Sequence, residues 1–139
     1  MIDFNFEDVD FELPDKNMLV SWIKSAVENE EKVLGNITYI FCSDEYLWNM
    51  NKQFLNHDYY TDIITFDYVK DGVISGDLFI SYDRIKDNAK KFDVLRETEL
   101  LRVMIHGVLH LVGYDDLTDE EEAEIHKRED FYLERWKND

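Results

Sequence analysis

The stretch LRETELLRVMIHGVLHLV, from Leu95 to Val112, constrains this chain more than any other. It has the length of a helix, and its second half is almost all Leu, Val, Met and Ile. A helix apolar nearly all round has to be buried, so the rest of the chain must be built around it. Gly113 follows and can end it in a left-handed cap. Within this apolar run stand two histidines, His106 and His110, four residues apart. That spacing puts both imidazoles on one helical face, one above the other.

The remaining elements read as a cover for that helix. Met1 to Phe6 alternates apolar and polar residues, as a strand does. Pro14 and Asp15 open a helix in which Leu19, Trp22, Ile23, Ala26 and Val27 recur at helical spacing, with Gly35 as its stop. Ile37 to Cys42 is a second strand, and Ser43 caps a short helix carrying Leu47, Met50 and Phe54. Thr61 to Val69 is β-branched and aromatic, hence a strand. Asp71-Gly72 is a hairpin turn, and Val73 to Ser81 is the returning strand, with Gly76 as a bulge. A polar helix runs from Asp83 to Lys91. Thr118 and Glu121 make a capping box for a last amphipathic helix, with Ile125, Phe131, Tyr132 and Trp136 on its inner side. The expected fold class is α+β: a small mixed sheet of about four strands packed with about five helices, the apolar helix central, in one domain over residues 1–139.

The chain is acidic, with a net charge of −17. That argues against a general nucleic-acid coat, because phosphate binding is driven by Lys and Arg. The charge is partly segregated. Residues 1–15 hold six acidic side chains and no basic one, whereas Arg84, Lys86, Lys90 and Lys91 cluster in the polar helix. Taken alone, this cluster reads as a solvated helix face. Cys42 is the one cysteine and reads as core, and a reducing compartment is expected. No apolar run is long enough to span a bilayer. The first fifteen residues do not have the pattern of a secretory signal, so a cytoplasmic protein is expected.

The chemistry lies in the pattern H-x-x-x-H-x-x-G-x-x-D, from His106 to Asp116. Both imidazoles can point at one ion, Gly113 lets the chain turn back, and an aspartate comes round to the same point. Three nitrogen or oxygen ligands leave a fourth position for water, the arrangement of a catalytic zinc site. Zinc would lower the pKa of that water to about 7. The alternative is two histidines that happen to share a core face, and the glycine and carboxylate in register weigh against it. The three-residue step from Gly113 favours Asp116. Asp115 is left as a partner of the ligands or as a helix cap. Zinc proteases of the H-E-x-x-H type carry their general base directly after the first histidine. That position is Gly107 here, which weakens a peptidase reading.

The eleven residues from His106 to Asp116, HGVLHLVGYDD, closely resemble the H-G-x-L-H-L-x-G-Y-D-H signature of the YbeY family. Thr61 to Phe66, TDIITF, is similar to the family's T-D-V-L-S-F strand, and Gly76 to Ile80, GDLFI, to its G-D-I-x-I strand. Asn51 stands where the family has an asparagine. The resemblance implies a metal-dependent, single-strand-type endoribonuclease of rRNA maturation, acting at the 3′ end of 16S rRNA and in ribosome assembly or quality control. It implies one Zn2+ held by His106, His110 and Asp116, rRNA as partner, and contact with small-subunit ribosomal proteins. Arg84, Lys86, Lys90 and Lys91 are then the candidates for RNA backbone contacts. Thr61, Asp62 and Asp77 would shape the neighbourhood of the site. Two positions depart from the family: Asp116 replaces its third histidine, and Leu55 replaces an arginine. Carboxylate oxygen is also a zinc ligand, so coordination is expected to survive. The missing arginine bears on nuclease strength. His57 and His126 are expected outside the ligand set, His126 exposed. A non-catalytic assembly factor with a structural metal, or a metalloprotease-like hydrolase, is the alternative.

Overall fold

The computed structural model describes residues 1–54 and 61–138; Leu55 and His57 lie outside the described residues. The elements follow in the order β1 (Ile2–Phe6), α1 (Lys16–Asn29), β2 (Val33–Cys42), α2 (Asp44–Phe54), β3 (Ile63–Asp67), β4 (Val73–Ser81), α3 (Tyr82–Phe92), α4 (Arg96–Val112) and α5 (Asp119–Asn138). The four strands form one mixed sheet in the order β1-β2-β4-β3. β1, β2 and β4 are parallel, and β3 returns antiparallel on the edge. This is the expected α+β class.

Strand alternation sorts side chains onto two faces. Ile37, Tyr39 and Phe41 of β2 and Ile74, Leu78 and Ile80 of β4 join the main core with α1, α4 and α5. On the opposite face Cys42, Leu47 and Ile64 form a smaller core under α2. Cys42 is buried there, as expected. The apolar helix α4 is central: Leu101, Met104, Ile105, Val108 and Leu109 are all nearly inaccessible. Tyr39, fully buried in β2, donates its hydroxyl to the Met104 carbonyl at 3.0 Å. That bond ties sheet to helix and pairs a buried hydroxyl.

Local signals set most boundaries. Asp15 caps α1, its carboxylate accepting from the Met18 amide at 3.1 Å. Thr118 and Glu121 exchange the two bonds of a capping box, each 3.1 Å. Asp71 and Gly72 both have positive φ, 53° and 76°, and close the β3–β4 hairpin between Lys70 and Val73.

Three expectations are corrected. Gly35 does not stop α1, which ends at Asn29 with the chain turning through Glu31 at φ 61°. Gly35 lies instead inside β2, and the bulge expected at Gly76 sits here: the pairing slips between Leu34 and Ile37, opposite Ile74 and Gly76. A Cβ at Gly35 would fall 2.2 Å from Ser75 Oγ, so the close strand approach requires glycine. On α5, Phe131 is 41% exposed rather than on the inner side. Its place in the helical repeat is taken by Glu129, which is 1% exposed.

Candidate metal site and its cleft

His106 and His110 lie on the last turns of α4, and Gly113, at φ 126°, turns the chain so that Asp116 comes back over them. One atom from each of the three lies within 4.8 Å of the others. Nε2 of His106 is 3.5 Å, and Nε2 of His110 3.4 Å, from Oδ2 of Asp116. Asp115 is exposed and outside this group. The two rings meet edge to face, their centroids 4.7 Å apart.

Glu129, reaching in from α5, sets the state of His106. The His106 Nδ1–H donates to Glu129 Oε2 at 2.6 Å. The other carboxylate oxygen accepts from Arg102 Nη1 at 2.9 Å and from His126 Nδ1 at 3.0 Å. Burial acts to raise the Glu129 carboxyl, but the bonds from His106 and His126 and the Arg102 guanidinium hold it below the usual carboxylate range. It therefore stays ionised and holds the proton of His106 on Nδ1. Nε2 faces a second acceptor, Asp116. A proton or a metal ion between the two satisfies both. Burial acts to lower the His106 imidazole, yet Glu129, Asp62 and Asp116 together raise it above its ordinary value. Three carboxylates thus favour positive charge at this point, which a protonated ring or a bound cation supplies. Bonds of roughly 2.0–2.1 Å to a tetrahedral ion would set its donors roughly 3.3–3.4 Å apart, close to the two separations observed. A carboxylate behind a ligating imidazole is also the usual way such a ring is oriented. The donor set fits a single zinc-like ion.

A cleft of about 500 Å³ opens beside His106, between α3, α4 and α5. Asp62 lines it; burial raises its carboxyl above the usual range, with His106 acting against that shift. Asp77 lies elsewhere. It projects from the α2 face of β4 and accepts from the Tyr68 hydroxyl at 3.2 Å. Thr61 bonds locally, its hydroxyl donating to the Ile63 carbonyl at 3.3 Å. Asn51 is buried on α2, one turn beyond Leu47. His126 is half-exposed and outside the ligand group, as expected, but its bond to Glu129 was not foreseen.

Two of the four basic residues of α3 are engaged by aspartates. Arg84 is held by Asp44 at 2.9 Å and by Asp87 at 2.5 Å. Lys86 pairs with Asp83 at 3.7 Å. Lys90 and Lys91 are exposed, and among the described residues neither forms an ion pair. Gly107 has a structural reason. A Cβ there would come 2.8 Å from Ile63 Cδ1 and 3.0 Å from Leu78 Cδ1, so this side of α4 is pressed onto the sheet. The position after His106 faces the core.

Sequence reasoning missed Glu129 and Arg102, which lie outside the H-x-x-x-H-x-x-G-x-x-D pattern. It also missed how the ligand turn is anchored. Tyr114 donates to Glu30 Oε1 at 2.8 Å, and Arg128 bonds both Tyr114, at 3.1 Å, and Glu30, at 3.0 Å. The signal that could have found Glu129 is an acidic residue in register with Ile125, Tyr132 and Trp136.

Fold and site together define a small α+β protein whose central helix presents a three-ligand candidate metal site to an open cleft. The model of the family described as Endoribonuclease YbeY matches residues 2–137. The endoribonuclease YbeY of Flavobacterium psychrophilum is 48% identical over 130 residues, 94% of this chain and 92% of that one. That of Bacteroides thetaiotaomicron is 53% identical over 106 residues, 75% of this chain and 77% of its own. The solution structure of TM1509 from Thermotoga maritima superposes with a TM-score of 0.68 at 28% identity, covering 98% of this chain and 89% of that one. The chain belongs to the YbeY family of endoribonucleases.

Proposed function

We propose that this protein is a zinc-dependent endoribonuclease of rRNA maturation, acting in the cytoplasm on the 3′ end of 16S rRNA in concert with small-subunit ribosomal proteins. One observation carries the reading. Two imidazole nitrogens and one carboxylate oxygen converge at 3.4–3.5 Å, beside a cleft, with His106 locked from behind by a buried carboxylate.

His106, His110 and Asp116 would hold the ion, which supplies Lewis-acid polarisation of a phosphate oxygen and hydroxide near neutral pH. Glu129 keeps the His106 proton on Nδ1 and so keeps Nε2 available. Arg102 balances the charge of Glu129 and fixes its carboxylate plane from the other side. Lys90 and Lys91 are the cations left to meet RNA phosphates, since Arg84 and Lys86 are engaged by aspartates. The core-facing position of Gly107 speaks against a peptidase.

The test is cleavage of an rRNA 3′-end fragment by metal-loaded protein, chelated protein and His106→Ala side by side, with unfolded casein as control. Only the metal-loaded protein should cut RNA, and none should cut casein. Equal cutting by all three would identify a contaminating nuclease and leave the assembly-factor role. Cutting of casein but not RNA would replace the reading with a peptidase.

A further inference from the structure

The cleft beside His106 has a composition that the metal chemistry does not use. Asn88 and Phe92 stand four apart on α3 and face it, and Glu99 of α4 lines its wall. Phe92 is 57% exposed, and it begins a run of exposed apolar side chains with Val94 at 41% and Leu95 at 73%. Packing does not account for these three: the α3–α4 turn is closed by backbone bonds from Asp93 and Val94 to Lys90 and Ala89. An exposed apolar rim on a polar cleft marks a binding site. The polar groups of the wall are of both kinds: Thr98, Arg102 and His126 can donate, whereas the groups nearest Phe92 are Asn88 and Glu99. Asp62 and Glu99 are carboxyl groups, and Glu99 accepts a hydrogen bond from the Asn88 amide. The Asn88–Glu99 pair suits a neutral flat ring that carries donors on its edge.

Resting on the endoribonuclease reading, we infer that this cleft is a base subsite: an unpaired nucleobase bearing an exocyclic amino group stacks on Phe92 and directs that amino group to Asn88 and Glu99. The ring face meets an aromatic side chain, the usual mode for single-stranded RNA. The neighbouring phosphates leave past Lys91, whose ammonium is 5.4 Å from the Phe92 ring centre. Adenine, cytosine and guanine carry the amino donor. Uracil offers one ring N–H between two carbonyl oxygens, which would face the Glu99 carboxyl. The subsite therefore disfavours uracil.

The experiment uses metal-loaded, full-length protein and short single-stranded RNAs that differ at one position, uridine against cytidine or adenosine. kcat and KM are read for wild type, Phe92→Ala and Phe92→Trp, with metal content and melting temperature measured for each. Phe92 is exposed, so all three should fold and hold metal alike. Loss of one stacked base should raise KM roughly 5- to 150-fold in Phe92→Ala, with kcat less affected, and Phe92→Trp should restore it. Wild type should discriminate against uridine, and Asn88→Ala should flatten that preference. Wild-type KM in Phe92→Ala, or no base preference in wild type, overturns the subsite and leaves the nuclease standing. Wild type that cuts none of these RNAs, nor the rRNA fragment, removes the nuclease and the subsite with it.

Discussion

Individual side chains carry most of the argument for the site, and they differ in how visible they were. His106 and His110 could be read from the sequence because helical geometry makes spacing and direction the same fact. Asp116 followed from the step after Gly113, and the turn delivers it within 3.5 Å of both imidazoles. Glu129 was hidden because no local rule links two helices that pack across a loop. Its role makes a definite prediction. Glu129→Gln keeps the shape but removes the charge that orients His106, so zinc affinity should fall roughly 10- to 100-fold. Asp116→Ala should weaken binding far more than Asp115→Ala. Competition titration against a chromophoric chelator reads both. Unchanged affinity in Glu129→Gln would reduce that residue to a core ion pair, and equal losses at Asp115 and Asp116 would mean that the turn is misread.

Helices and strands were legible where hydrophobic period and caps agreed. α5 began where Thr118 and Glu121 placed it, and the β3–β4 hairpin turned at Asp71-Gly72. Two of the errors share a cause: Gly35 and Gly76 were read for their freedom to turn, whereas Gly35, like Gly107, serves close approach. Gly35 lets β2 bulge against Ser75, and Gly107 lets α4 sit on β3 and β4. Nothing in a single sequence separates these uses, because the neighbour that needs the space lies on a distant element. The contact at Gly107 ends on flexible side-chain tips, Ile63 Cδ1 and Leu78 Cδ1. Gly107→Ala should therefore be mild, the shift of those tips offset by a helix-propensity gain of about 1 kcal/mol. Gly107→Glu, which rebuilds the protease sequence, would push a carboxylate between those two apolar side chains. It should destabilise by about 3 kcal/mol or more, read as a shift in urea midpoint. A Gly107→Glu variant with the wild-type midpoint would show that α4 can roll away from the sheet.

The molecule as a whole decides whether the metal serves the fold or the chemistry. A structural metal contributes folding energy by joining parts of the chain that would otherwise be far apart. Here the three candidate ligands come from one eleven-residue segment, His106 to Asp116. That segment is already a helix end and its glycine turn. The turn has its own anchor in Tyr114, Glu30 and Arg128, and the core above it is sealed by α1 and the sheet without any ligand. Closing so short a loop removes little unfolded-state entropy. Chelated protein should accordingly remain folded, with its near-ultraviolet circular dichroism preserved, while RNA cleavage is lost. Its melting temperature should still drop and recover on adding zinc, because a ligand that binds only the native state stabilises it by mass action, about 4 kcal/mol at a thousand times its Kd. Loss of tertiary structure on chelation would make the metal structural, and the acidic surface of a chain with net charge −17 would then favour docking on basic ribosomal proteins over cutting RNA.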